Sequence, residues 1–329
     1  MFSFILTIIK LSIVLLLVAI IYYYVLYPEK GLDVIKSFTV GINSDFKKHS
    51  FEKEGQTYYY LEAGVPLNSA PTILCIPGFA DDKYTVLQGI VNTLYPMLKN
   101  KFNIIALDLP GFGELSSQQY TITTQDLAGF VNNFVIALDI KQVIAYGLSM
   151  GGGIAFMYNL LYPERVIKSI IYNPFLPADF AHKETLFEQI YKYSNHNAFL
   201  VENDCEYSLM TLLTANKWSY PDDDYPWPVR QLIFRNNSKF KTTLENQLKS
   251  LIDFSYKVKL DDFNKIKNPI LLIYGTDDKV IPIEVYLNII NNRQNTVTVK
   301  LEGGSHCCNF SKPQFNDLIK TNFINFLEQ

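Results

Sequence analysis

Only four residues, Gly147-Leu148-Ser149-Met150, separate a short apolar run, Gln142–Tyr146, from a helix-patterned run, Gly151–Leu161. A continuous apolar run closed by glycine reads as a buried strand. The run after it, rich in small residues and followed by Pro163, reads as a helix. A strand that must pass into a helix within four residues needs a sharp turn, and Gly147 and Gly151 let neighbouring backbones approach there. A serine on such a turn sits in a strained conformation, its hydroxyl raised above the carboxyl edge of a sheet. The N-terminus of the helix behind it favours developing negative charge.

The other runs extend this unit into a fold. Thr57–Leu61, Thr72–Ile76, Phe102–Leu107, Val166–Tyr172, Pro269–Tyr274 and Thr296–Leu301 have strand character. Asp81–Lys99, Thr124–Leu138 and Gln314–Leu327 have helical character. The strands are mostly continuous apolar runs, which suits a largely parallel sheet covered by helices on both faces. The reading is therefore an α/β chain whose 329 residues form one large domain from residue 55 onward, after a connecting segment at 29–54. The alternation lapses between Tyr172 and Pro269. That gap, rich in aromatic, Asn and charged residues, reads as an inserted helical cap at about 175–265.

Residues 11–27, LSIVLLLVAIIYYYVLY, carry no charge, and only Lys10 interrupts the apolar run that begins at Phe2. As a helix, Phe2–Tyr27 would be about 39 Å long, against a hydrocarbon core of roughly 30 Å. Tyr22, Tyr23, Tyr24 and Tyr27 would form an aromatic belt, and Pro28 closes the run. Bulky tyrosines stand where a cleaved signal peptide needs small residues. Residues 1–28 are thus expected to be a single-pass membrane anchor. Lys30, Lys36, Lys47 and Lys48 follow the span, which places the body on the cytosolic side.

A serine nucleophile needs a base, an acid behind the base, and donors for the oxyanion. Of four histidines, His49 precedes the expected domain, His182 and His196 fall in the cap, and His306 lies in the turn-rich stretch LEGGSHCCN after the last strand. His306 is the candidate base. The strand PILLIY ends in GTDDKVIP, which offers Asp278 as the acid, with Asp277 the second choice and alternatively a cap of the turn. The oxyanion donors would be the backbone amides of Met150 and Phe79. Ser149, Asp278 and His306 stand in the chain order expected for a nucleophile on a strand–turn–helix unit.

Net charge is −3 and no dense basic run is present, so nucleic-acid binding has no electrostatic support. The four cysteines, Cys75, Cys205, Cys307 and Cys308, lack the spacing of a zinc site and read as free thiols. No metal or organic cofactor is called for. The acidic run Asp222–Asp224 in the cap leaves open an aminopeptidase-like reading in which it holds a substrate amine. A hydrolase-like fold kept only as a binding protein is a third possibility.

With this order of residues, with PGF after one strand and DLPGFG after the next, the chain resembles the α/β-hydrolase superfamily over about residues 55–329. With its N-terminal anchor it resembles the membrane-anchored monoacylglycerol lipases of that superfamily. The resemblance implies a serine hydrolase acting on a lipid ester. It also implies a loop-stabilising, non-catalytic role for Asp108. The family's usual His-Gly before the oxyanion residue is Pro77-Gly78 here, a change that leaves the backbone donor in place.

Overall fold

The computed structural model describes residues 2–39, 41–42, 45–79, 81–88, 90–117, 123–176, 227–253, 260–278, 280–281, 295–306 and 313–329. Most of the cap, including Trp218 and Asp222–Asp224, lies outside these residues, as do His182, His196, Cys205, Cys307 and Cys308.

Helix α1 (Phe2–Leu26) is followed by α2 (Pro28–Thr39) and by the antiparallel pair β1 (Lys47–Lys53) and β2 (Gln56–Gly64). Next come β3 (Thr72–Ile76), α3 (Tyr95–Leu98), β4 (Asn103–Leu107), α4 (Thr124–Ala137), β5 (Val143–Leu148), α5 (Met150–Leu161) and β6 (Val166–Tyr172). The chain then passes through α6 (Trp227–Asp253), α7 (Leu260–Lys265), β7 (Ile270–Gly275), β8 (Thr296–Leu301) and α8 (Pro313–Glu328). Among the described residues the strands form one eight-stranded sheet of order β1-β2-β4-β3-β5-β6-β7-β8. The sheet is parallel from β4 through β8.

Alternate residues of each central strand feed two separate cores, as the period-two geometry of a strand requires. Leu74, Ile76, Val143, Ala145 and Leu272 pack with α4 and α5. Ile73, Cys75, Ile144, Tyr146 and Ile273 pack with α8 and the segment before β4. Both faces of the central strands are therefore dry, which is why these strands carry apolar residues without alternation.

Two expectations fail for physical reasons. Residues 29–54 are more than a connection, because they hold α2 and the edge strand β1, and His49 lies within the sheet, stacked on Tyr60 at 5.0 Å. The strand KKHSFEK has too little apolar character to stand out, because an edge strand is wet on its outer side and protected by lysines. Asp81–Lys99 is not one helix. It breaks into a 3₁₀ turn at Thr85–Leu87, a π-turn at Ile90–Leu94 and the short α3. Pro96, in the first turn of α3, has no amide to donate, so it cannot continue a regular helix from the preceding turn.

The span Leu6–Leu26 is long and apolar enough to cross a membrane, and among the described residues nothing buries it. Amides bridge Tyr27, with Lys30 and Gly31 N–H bonded to its carbonyl, so α1 runs almost without interruption into α2. Helix α2, by contrast, is docked on the body. Leu32 is buried, and a Cβ on Gly31 would lie 3.3 Å from Leu232 of α6, so a small residue permits that close crossing. Ion pairs join Glu29 to Lys239 at 3.2 Å, Lys30 to Glu114 at 3.3 Å and Asp33 to Lys48 at 3.3 Å.

Candidate active site

Ser149 follows β5 directly and has φ 54° and ψ −120°, a conformation costly for any residue with a side chain. The turn survives because its neighbours over-determine it. Ser149 N–H donates to the Tyr172 carbonyl at 2.9 Å, and the Ser149 carbonyl accepts from Phe175 at 2.8 Å and Gly153 at 3.1 Å. A Cβ on Gly147 would collide with the Gly151 carbonyl, and one on Gly151 with the Ile76 carbonyl, so both positions require glycine.

His306 comes from the loop after β8 and Asp278 from the loop after β7. His306 Nε2 lies 2.9 Å from Ser149 Oγ, and His306 Nδ1 lies 2.7 Å from Asp278 Oδ2. A carboxylate only accepts, so Nδ1 carries the ring proton and Nε2 is left bare to accept from the serine hydroxyl. Asp278 Oδ1 accepts from the amides of Val280 and Ile281, both at 2.8 Å, which fixes the carboxylate plane. His306 and Asp278 are buried and Ser149 is partly exposed. Asp277, the second choice for the acid, instead donates its amide to the Gly304 carbonyl at 2.8 Å and takes no part in the His306 contact.

Met150 opens α5, where the first amides of a helix have no intrahelical acceptor. Phe79 follows Gly78, whose Cβ position would lie 3.6 Å from Ser149 Cβ and 3.3 Å from the Leu148 carbonyl. The loop after β3 therefore passes directly over the serine, and the Phe79 ring rests edge-on against Phe112 at 5.5 Å.

Three further residues support this geometry, and of these only Asp108 was singled out by the sequence. Asn173, at the end of β6 with φ 36°, donates from Nδ2 to the His306 carbonyl at 2.7 Å and accepts at Oδ1 from Gly275 N–H at 2.9 Å. It clasps the loops that carry the acid and the base. Its only sequence signal is an Asn-Pro pair after a strand. Asp108 accepts from Lys83 N–H at 2.9 Å, Lys83 Nζ at 2.6 Å and Glu114 N–H at 3.0 Å. Its carboxyl fills the space that a Cβ on Gly113 would need. Burial works against the charge on Lys83, but Asp108, Asp33 and Glu114 around it hold the ammonium well above its ordinary range. Asp108 thus joins the loop after β3 to the loop after β4, the loop-stabilising place the resemblance implied for it. The third residue is Lys36 of α2, whose Nζ lies 2.7 Å from Asp82 Oδ2.

A mostly parallel sheet with a serine at the sharp turn after its central strand, and a histidine and an aspartate on the loops after later strands, defines a hydrolase-type fold. The chain belongs to the alpha/beta hydrolase fold family, whose model matches residues 71–313. It is similar to the uncharacterized hydrolase YugF of Bacillus subtilis (strain 168), 25% identical over 84% of this chain and 97% of that protein. Among solved structures, a membrane phospholipase A described as a bacterial virulence factor covers 100% of this chain and 98% of its own, at TM-score 0.79 and 22% identity. The naproxen esterase of Bacillus subtilis covers 92% of this chain and 97% of its own, at TM-score 0.71 and 15% identity. These two share the fold.

Proposed function

We propose that the protein is a membrane-anchored serine hydrolase that cleaves lipid esters such as monoacylglycerols. The observation that carries this reading is the hydrogen-bonded line from Asp278 through His306 to the hydroxyl of Ser149. Ser149 Oγ attacks the ester carbonyl while His306 Nε2 takes the hydroxyl proton, and Asp278 stabilises the imidazolium. The Met150 and Phe79 amides receive the oxyanion. Collapse expels the alcohol, protonated by His306, and leaves an acyl-serine. His306 then takes a proton from water as it attacks the acyl carbonyl, and the carboxylic acid departs from a regenerated Ser149.

The lipid substrate class is supported by the uncovered apolar surface of α1 and by the fold-level likeness to a membrane phospholipase A. Lys30, Lys36, Lys47 and Lys48 beyond the span favour a cytosolic body.

The test is fluorophosphonate labelling of the intact protein and of Ser149→Ala, followed by digestion to locate the adduct. Label on Ser149 alone, together with turnover of monoacylglycerol in a panel that includes phospholipid and peptide amide substrates, is the expected result. A folded sample that takes no label would overturn the mechanism. Labelling with turnover confined to peptide amides would overturn the substrate class.

A further inference from the structure

The segment between β3 and the 3₁₀ turn carries two adjacent carboxylates, Asp81 and Asp82, of which Asp81 lies close to Ser149. Asp81 Oδ2 lies 3.0 Å from the position a Cβ would take on Gly78, the same point that lies 3.6 Å from Ser149 Cβ. Asp81 N–H donates to the Gly78 carbonyl at 3.3 Å, which closes the turn containing Phe79. Asp82 sets the far end of the segment. Its Oδ1 accepts from the amides of Tyr84 and Thr85, both at 3.0 Å, and its other oxygen takes the ammonium of Lys36 at 2.7 Å.

Two carboxylates here work against the chemistry. An oxyanion forming at Ser149 is destabilised by negative charge nearby, and more so where water is scarce. Burial is the main influence on the Asp81 carboxyl and raises it to about 6; Asp82 adds to the rise, while Lys36, Thr85 and His306 oppose it. Near neutral pH Asp81 is thus largely ionised beside the serine. The cation bonded to Asp82 comes from α2, 46 residues upstream of it in a helix continuous with the membrane-type helix.

We propose that Lys36 is a positioning residue for the hydrolytic reaction: it fixes the oxyanion loop through Asp82 and cancels that loop's negative charge where the oxyanion forms. The inference rests on the serine-hydrolase reading. It makes the juxtamembrane helix part of the working site, with the other ion pairs of α2 serving only to dock it.

The experiment uses the full chain in detergent, with p-nitrophenyl butyrate as a water-soluble ester at pH 8. Lys36→Met is expected to lower kcat about tenfold, as one unbalanced charge near the oxyanion would, with KM nearly unchanged. Lys36→Arg keeps most of the activity. Adding Asp81→Asn to Lys36→Met restores most of the loss, a recovery that a purely structural role for Lys36 does not give. Lys30→Met, which breaks another α2 ion pair, the one with Glu114, keeps the wild-type kcat. Wild-type kcat in Lys36→Met, an equal loss in Lys30→Met, or no recovery in the double variant overturns the proposal. Should Lys36→Met fail to fold, Asp81→Asn alone decides: a raised kcat supports the charge argument, and an unchanged or lowered kcat overturns it. Absence of both labelling and turnover in the wild-type protein marks failure of the serine-hydrolase reading itself.

Discussion

Ser149, His306 and Asp278 lie 157 and 28 residues apart in sequence, yet each was visible there because each sits at a loop that the parallel sheet opens at one edge. The supporting residues were hidden for the converse reason. Asn173 reaches the His306 carbonyl across 133 residues and Lys36 reaches Asp82 across 46, and neither has a local pattern that announces its partner. The sequence put Asp278 ahead of Asp277 without a geometric reason, and it is the loop after β7 that turns the Asp278 carboxylate toward the imidazole. That orientation has a measurable consequence. Asp278→Asn leaves the shape intact, but the new side chain can donate to Nδ1 and so favours the tautomer with its proton on Nε2, facing Ser149. By the precedent of such triads, kcat for ester hydrolysis falls by about 10,000-fold while KM stays nearly the same. A stopped-rate ester assay checks this, and a loss of less than tenfold would mean that Asp278 does not hold the imidazole.

Among the elements, the central strands declared themselves because both faces are buried, and α4 did so through its helical periodicity, its start being fixed in the structure by a capping box of Thr123 and Asp126. Strand β1 and the broken stretch 81–98 did not. One is an edge whose outer side is wet, and the other combines a helix-like apolar pattern with a proline that interrupts its backbone bonds. The charge network beneath α2 was also invisible, because its members come from five separate segments. Glu114 lies at its centre, 2.9 Å from Lys48, 3.1 Å from Lys83 and 3.3 Å from Lys30. Burial alone would raise its carboxyl, but Lys83 and Lys48 draw it from an ordinary 4.5 down to about 2. Between those values the unfolded chain binds more protons than the folded one, so the stability this group contributes is complete above about pH 4.5 and is lost as pH falls toward about 2. Thermal unfolding midpoints measured across that window should drop more steeply for the wild-type chain than for Glu114→Gln. Parallel curves would show that Glu114 is not held as an anion.

At the scale of the whole molecule, α1 and the body differ in every respect but continuity. One presents bare apolar surface, while the other has its central strands sealed on both faces. Their junction at Tyr27 is packed as well as continuous, with the Tyr23 and Tyr27 rings 5.0 Å apart and Lys239 of α6 lying 5.4 Å from the centre of the Tyr27 ring. Removing residues 1–26 while keeping α2 is expected to move the protein from the membrane to the soluble fraction. It should leave turnover of a water-soluble ester within about twofold and depress turnover of an ester held in vesicles, because proximity to the substrate is lost. Fractionation with paired assays checks this, and equal loss on both esters would make α1 a structural part of the catalytic body. On the proposed reading of a membrane-anchored lipid-ester hydrolase, a body joined to its span through a docked helix, with no slack tether between them, would meet its substrate as a fellow resident of a surface. Its search is then lateral diffusion in two dimensions, and the quantity that governs its rate is the mole fraction of ester in the lipid film. Diluting that film with inert lipid would slow the enzyme even with the total amount of ester in the tube unchanged.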